Sequence, residues 1–422
     1  MNKKNASKPG FTRTLGLFDA TAISVGAIIG AGIFVVTGIA AGLAGSALVV
    51  SLFIAAVISL LTALSFVELT AWQPKEGSIY EYVHVLVSPF AGFLVGWMWM
   101  LSNIFTGAAV SLGFAHYLTA LFPALPTNGI ASALCLAFAA LNYLGVQESA
   151  RLNNVFVVAK LLILAFFVFF GAAHVRAVNF VPFNPFKMGM LYGACFIFFA
   201  YGGFARVAIV ADEIKDARRN VPKAIMLSLG ISTVVYMFVG AVAVGLVGAS
   251  TLAGSPSPLT IAMRATGSGF ASSLVSVGAL LATASVLLTS ILGVSRMAFA
   301  MGRRKDLPRV LSRLHPAHNT PYVSIWLTGG LMAALVLLID LSQVVAISTF
   351  ALLFYYFFAN FAALRLKPGT RLYPRLVPFL GGISCAALLV FILIASPLAW
   401  AIGLAGLLAG TVYYAAKKRI AD

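Results

Sequence analysis

The sequence predicts an all-α integral membrane protein with twelve transmembrane helices, and three observations carry that prediction. Of its 422 residues, 61% are hydrophobic and 9% are charged, against about a quarter charged in a soluble domain. The mean hydropathy is +1.01. Apolar runs recur from Leu17 to Ala416, each near or above the roughly 20 residues that a helix rising 1.5 Å per residue needs to cross a bilayer core.

In order, the spans read 17–42, 46–71, 90–118, 129–146, 152–174, 188–211, 222–248, 270–299, 322–339, 343–364, 376–395 and 398–416. The first follows a polar start (Lys3, Lys4, Lys8, Arg13) that enters apolar chain without a small-residue cleavage site. No cleavable signal peptide is therefore expected. The connecting loops are short, so no separate soluble domain is expected either. Alternating the spans across a bilayer sorts the 28 Lys and Arg residues. The side holding both termini receives 23, the other side has Arg176, Lys187 and Arg264, and Lys160 and Arg206 lie within spans. This asymmetry predicts cytoplasmic termini. The net charge of +17 then reports topology and contact with anionic lipid, not a nucleic-acid partner. Cys135, Cys195 and Cys385 lie far apart in apolar spans, which suits buried thiols better than a disulfide framework or a metal cluster.

Two spans carry unusual interruptions. The first reads Gly26-Ala-Ile-Ile-Gly30-Ala-Gly32-Ile-Phe34 and the sixth Phe199-Ala-Tyr-Gly202-Gly203-Phe204. A single Gly-xxx-Gly such as Gly26 to Gly30 serves close helix packing. Two glycine-rich interruptions at a five-span offset point instead to a carrier built from inverted repeats, with its ligand bound at broken helices near the midplane. Unwinding a helix in lipid frees N–H and C=O groups, which is tolerated only where protein, water or a ligand satisfies them. N–H groups at the start of a half-helix favour a carboxylate, and C=O groups at the end of its partner favour an ammonium. An α-amino acid zwitterion offers both.

Further motifs carry a family resemblance. They are Pro74-Lys-Glu-Gly-Ser-Ile-Tyr80, Asn142-Tyr-Leu-Gly145, Asp212-Glu-Ile-Lys-Asp-Ala-Arg-Arg-Asn-Val-Pro222 and Ser295-Arg-Met-Ala-Phe-Ala-Met301, the last followed by Leu307-Pro308 and Thr320-Pro321. With the stretch 26–34 they resemble the amino acid-polyamine-organocation superfamily of permeases over nearly the whole chain. Each motif is weak singly and specific as an ordered set. The resemblance implies a leucine-transporter-like, five-plus-five inverted repeat with alternating access. The first repeat would span 17–174, the second 188–364, and two extra C-terminal helices 376–416, with helices one and six discontinuous. Carried over by position, it implies that N–H groups around Ala31 and Gly32 hold a substrate carboxylate, and that carbonyls near Ile28, Phe199 and Gly202 hold its amine. Ile29, Gly30, Ala200, Tyr201 and Gly203 complete the expected substrate site. Phe199 stands where relatives place an aromatic gate; packing or lipid contact is the alternative in a chain with 33 Phe.

Lys160 in the fifth span is the most informative charged residue, since an ionisable group within an apolar span is a functional hypothesis by default. Its position resembles that of the lysine of proton-coupled members, whose ammonium sits where sodium-coupled relatives bind sodium. A buried ammonium can load and release a proton as water access alternates. Alternatively, Lys160 lies about eight residues, roughly 12 Å, from the start of its helix and snorkels to the interface. Thr283 and Ser285 in span eight are expected to offer hydroxyls to Lys160 or to bond their own helix. Arg206 departs from the family pattern: it faces an aqueous vestibule and selects an anionic side chain, or it pairs with a carboxylate such as Glu68. Asp19 reads as the N-cap of span one, and Asp212, Glu213, Arg218 and Arg219 as a cytoplasmic charge network acting on gate closure.

The sequence contains no His/Cys/Asp/Glu cluster with ligand spacing and no nucleophile motif. His84, His116, His174, His315 and His318 lie mostly at span ends or in loops. No enzyme, cofactor or metal is expected, and no repeated polar rings suggest a channel. The expectation is a secondary active transporter in the cell membrane, moving amino acids or related organic amines with protons as cosubstrate. Exchange, or a non-transporting substrate sensor of the same fold, stays open.

Overall fold

Away from water a chain must satisfy its own N–H and C=O groups, and the i to i−4 ladder of the α-helix does so within one segment. The computed structural model describes residues 13–30, 32–75, 77–122, 124–184, 186–253, 255, 257–338 and 341–421, and is helical along almost every apolar run. The first run forms α1 (Leu17–Ile28), a π-helical turn (Gly32–Val36) and α2 (Thr37–Ala44); the second forms α3 (Leu48–Trp72). A short helix, α4 (Ile79–Leu86), leads into α5 (Pro89–Leu121), α6 (Thr127–Leu144) and α7 (Val146–Ala172). The sixth run is α8 (Gly189–Tyr201) followed by a single turn, α9 (Arg206–Ile209). Then come α10 (Ala217–Ala253), the short α11 (Pro258–Arg264), α12 (Gly269–Arg303), α13 (Tyr322–Leu335), α14 (Leu341–Leu364), α15 (Leu376–Ala395) and α16 (Pro397–Ala421). Ser88 and Ser268 start α5 and α12, each hydroxyl accepting the N–H three residues on, from Ala91 and Ala271, at 3.1 Å.

Among the described residues, ten helical stretches are long and apolar enough to cross a membrane, and α13 is a shorter apolar helix. Twelve were expected from sequence. The difference has two sources. Residues 17–72 count as one stretch of 56 residues although the chain turns between α2 and α3, where Gly45 takes φ 63° and ψ −145°. In addition, α13 has only 14 helical residues. The chain is a multi-pass membrane protein with α12 and the α8–α9 stretch at its centre, 83% and 89% of their apolar windows being buried, against 17% for α16. The three cysteines are buried, free thiols.

The charged side chains cluster at helix ends. Gly16, not Asp19, is the N-cap of α1; Asp19 reaches back from inside the first turn, its Oδ2 accepting the Gly16 N–H at 2.9 Å. The carboxylate thus serves the same orphan N–H from the third position. Its Oδ1 accepts a bond from Asn154 of α7 at 2.7 Å. The charge network expected around 212–219 is also rearranged. Glu213 is buried and pairs with Arg296 of α12 at 2.7 Å, whereas Arg218, on the exposed first turn of α10, donates to the Ala71 carbonyl at 2.8 Å. The Glu213 carbonyl accepts the N–H groups of Thr14 and Leu15, both at 3.0 Å, which fastens the chain ahead of α1. On α4, Glu81 pairs with Lys75 at 2.8 Å and with Arg304. Burial alone would raise the Glu81 carboxyl, but hydrogen bonds from Arg304 and Lys75 outweigh it and hold the group below its ordinary value. Asp306 accepts from the Tyr80 hydroxyl at 2.6 Å and from Lys417 of α16 at 2.7 Å.

The Glu213–Arg296 pair is dry, with both side chains at most 2% exposed. Removing one member of such a pair strands the other charge and costs about 3–5 kcal/mol, whereas replacing both with apolar groups is close to neutral. Arg296→Met and Glu213→Met are each expected to lower the thermal unfolding midpoint in detergent, and the double variant to recover most of the loss. Single variants as stable as the parent would show that this pair does not hold α12 to the 213 segment.

Candidate functional site

Two apolar runs leave helical geometry midway, and the breaks face one another. After α1, Ile29 is extended (φ −79°, ψ 97°) and the π turn begins at Gly32. After α8, Gly202 is extended (φ −60°, ψ 123°) and Gly203 takes φ 138°, a conformation that residues with a Cβ rarely adopt. The glycines also set the distance between the breaks. A Cβ added at Gly32 would lie 2.3 Å from Ala200 Cβ, and one at Gly203 would lie 2.7 Å from the Ala27 carbonyl oxygen. Close packing and unwinding, which sequence offered as alternatives, are served by the same residues.

Between the breaks lies a cavity lined by Ile28, Gly32, Phe199, Ala200, Gly202 and Gly203, with Asn103, Thr106, Arg206 and Tyr355 on its wall. It is narrow, with about 20 Å³ open to the centre of a water molecule, room for one water. Phe199 is thus at the cavity. Tyr201 is not among the lining residues and packs edge-on against the Tyr236 ring, centroids 5.0 Å apart. Gly30 faces Val286 of α12. Ala31 lies outside the described residues.

Polar side chains from other helices hold the freed backbone. The Tyr236 hydroxyl of α10 lies 2.7 Å from the Ile28 carbonyl oxygen and 3.0 Å from that of Ala200. It has one proton, so it donates to one at a time, bridging the two breaks. The Ser24 hydroxyl donates to the Phe204 carbonyl at 3.1 Å. Lys160 of α7 is fully buried and does not reach the interface. Its Nζ donates to the Ile29 carbonyl at 2.5 Å, to Ser285 Oγ at 3.1 Å and to the Gly26 carbonyl at 3.3 Å. Three acceptors match the three protons of an ammonium; a neutral amine has two. The Ser285 hydroxyl donates onward to Asn153 Oδ1 at 2.8 Å, and Asn153 Nδ2 donates to the Ala22 carbonyl at 2.9 Å. Thr283 is not among the Lys160 partners: its hydroxyl turns back to the Ala279 carbonyl at 2.8 Å.

Arg206 does not pair with Glu68. Glu68 Oε1 accepts the backbone N–H groups of Leu372 at 2.8 Å and Tyr373 at 3.4 Å, because it sits at the far end of α3, beneath the loop before α15. Arg206 instead donates to Thr289 Oγ1 at 2.9 Å and to Asn103 Oδ1. Asn103, Asn153, Tyr236 and Thr289 were not singled out from sequence. Each is a polar group inside an apolar span, and that was the signal available for all four.

A family model described as amino acid permease matches residues 15–413. An uncharacterised transporter of Mycobacterium tuberculosis (strain ATCC 25618 / H37Rv) is 36% identical over 380 residues, covering 89% of this chain and 85% of that protein. The branched-chain amino acid permease BcaP of Bacillus subtilis (strain 168) is 34% identical over 361 residues, 80% of this chain and 78% of the permease. The methylthioribose transporter of the same organism is 34% identical over 349 residues, 78% of this chain and 76% of that transporter. With the matched model spanning both breaks and their supporting helices, the chain belongs to the amino acid permease family and is a membrane transporter, not an enzyme.

Proposed function

We propose that the protein carries amino acids across the cell membrane by alternating access, as a proton-coupled symporter with both termini in the cytoplasm. In this reading twelve crossings form two inverted repeats, 17–174 and 188–364, followed by the pair 376–416. Backbone N–H groups around residues 31 and 32 take the substrate carboxylate, and carbonyls at Ile28, Phe199 and Gly202 take its ammonium. Phe199 covers the site. The narrow cavity means that a substrate must part Gly32 from Ala200 as it enters. A relative named for branched-chain amino acids fits a site in which backbone groups take the zwitterion that amino acids share and side chains take what differs.

The observation that carries proton coupling is Lys160 Nζ on the Ile29 and Gly26 carbonyls, at the same break that forms the cavity wall. A protonated Lys160 fastens the end of α1. Loss of that proton removes the charge and one of the three donated bonds, freeing α1 to move. Proton release and movement of the substrate-bearing segment are thereby one event.

Uptake by the purified protein in proteoliposomes is expected to rise when the outside is made acidic relative to the lumen. Lys160→Ala is expected to lose that response together with most of the accumulation. Uptake indifferent to an imposed pH gradient, or a Lys160→Ala variant with the parent's pH response, would refute proton coupling and leave exchange. Gly32→Ala is expected to lower uptake by at least about tenfold, because its methyl meets Ala200. Gly230→Ala, where an added Cβ meets nothing within 4 Å, is expected to leave uptake unchanged. Equal uptake by both variants would show that the breaks need not be in contact.

A further inference from the structure

Arg206 is a second buried cation beside the cavity, only 4% exposed. Its stem lies against Gly293 of α12, where an added Cβ would come within 3.4 Å of Arg206 Cγ. Its two identified acceptors are neutral and fixed from behind. Asn103 Nδ2 donates to the Trp99 carbonyl at 2.9 Å, and the Thr289 hydroxyl donates to the Ser285 carbonyl at 3.0 Å. Arg206 Nε has no partner. Among the described residues no carboxylate is paired with the guanidinium: Glu81, Glu213 and Asp306 have basic partners and Glu68 receives backbone N–H groups.

A guanidinium keeps its proton in a protein, so neutral acceptors satisfy some of its donors and leave its charge uncompensated in a buried, membrane-embedded site. The planar fork matches a carboxylate, which binds it through two parallel N–H···O bonds. The α-carboxylate and α-amine of a substrate are assigned to backbone groups at the breaks under the transport function proposed above, on which this inference rests. We propose that Arg206 recognises a second carboxylate, so that the preferred substrates are acidic amino acids. Asn103 and Thr289 are then positioning residues that hold the fork toward the cavity. Lys160, on the Gly26 and Ile29 carbonyls of the first break, adds a second positive charge, which disfavours cationic side chains. An amide of the same shape as the acid cannot compensate the guanidinium.

The test is competitive uptake into proteoliposomes with L-glutamate, L-aspartate, L-glutamine, L-leucine and L-lysine. The parent protein is expected to favour glutamate or aspartate over glutamine by about tenfold or more in kcat/KM, since a site built around a charged partner rejects an isostere that lacks it. Arg206→Gln is expected to bring the acid-to-amide ratio to near one, and Arg206→Lys to retain part of the preference. A parent protein that takes neutral amino acids as well as acidic ones would overturn the assignment. So would an Arg206→Gln variant that slows all substrates alike, as expected if the arginine held the α-carboxylate or only braced α5 to α12. If Arg206→Gln does not fold, the parent's own preference decides. Uptake of no amino acid, acidic, neutral or basic, would overturn the transport function as well.

Discussion

A peptide group released from its helix in the middle of a bilayer must be given a partner there, and everything distinctive in this molecule follows from how that demand is met. The end of α1 and the end of α8 are released against each other. Their carbonyls are held by side chains from elsewhere: Lys160 of α7 on Ile29 at 2.5 Å, and Tyr236 of α10 shared between Ile28 and Ala200 at 2.7 and 3.0 Å. A hydroxyl with one proton and two acceptors is well suited to a joint that must rearrange.

The α12 helix is the common wall behind the two buried cations beside the breaks, Lys160 and Arg206. Ser285 receives Lys160 and Thr289, four residues on and hence one turn along the same face, receives Arg206. The two charges are therefore tied to one rigid element, while Lys160 also holds the end of α1 and Arg206 itself stands on α9, just after the second break. Movement of either break relative to α12 must strain or release these bonds. In the proposed function, that arrangement would give proton loading and substrate capture a shared mechanical reference without requiring contact between Lys160 and Arg206. The ion pairs nearer the helix ends are of another kind. Glu213–Arg296 is dry and close to fixed, but Lys75–Glu81 and Lys417–Asp306 are partly open to solvent, and exposed pairs contribute little to stability.

Much of this fold was legible in the sequence because lipid imposes so simple a rule. Apolar runs of about 20 residues become helices, and paired glycines mark where they stop. Lys160 stood out because a charge amid Val, Ala, Leu and Ile is costly in lipid and persists where it has work to do. What the sequence did not contain was the identity of partners more than a hundred residues away. Nothing local distinguishes Ser285, which meets Lys160, from Thr283, which bonds its own helix. Their faces differ by two residues, and only the rotation of α12 against α7 decides between them. Arg206 left two readings open for the same reason, since Glu68 lies on a helix whose depth and rotation no periodicity specifies. The cap at Gly16 was misplaced by three residues because an acid at the cap and an acid in the first turn satisfy the same N–H.

Two helices broken against each other form the centre of this transporter, and in the proposed function their exposed backbone groups clasp the substrate. A structure determined by cryo-electron microscopy with saturating acidic amino acid tests that most directly. Ligand density is expected between Gly32 and Gly202–Gly203, with α1 and α8 still interrupted and Lys160 on the carbonyls beside it. Continuous helices through 28–36 and 199–206, or a ligand seated away from both, would contradict it.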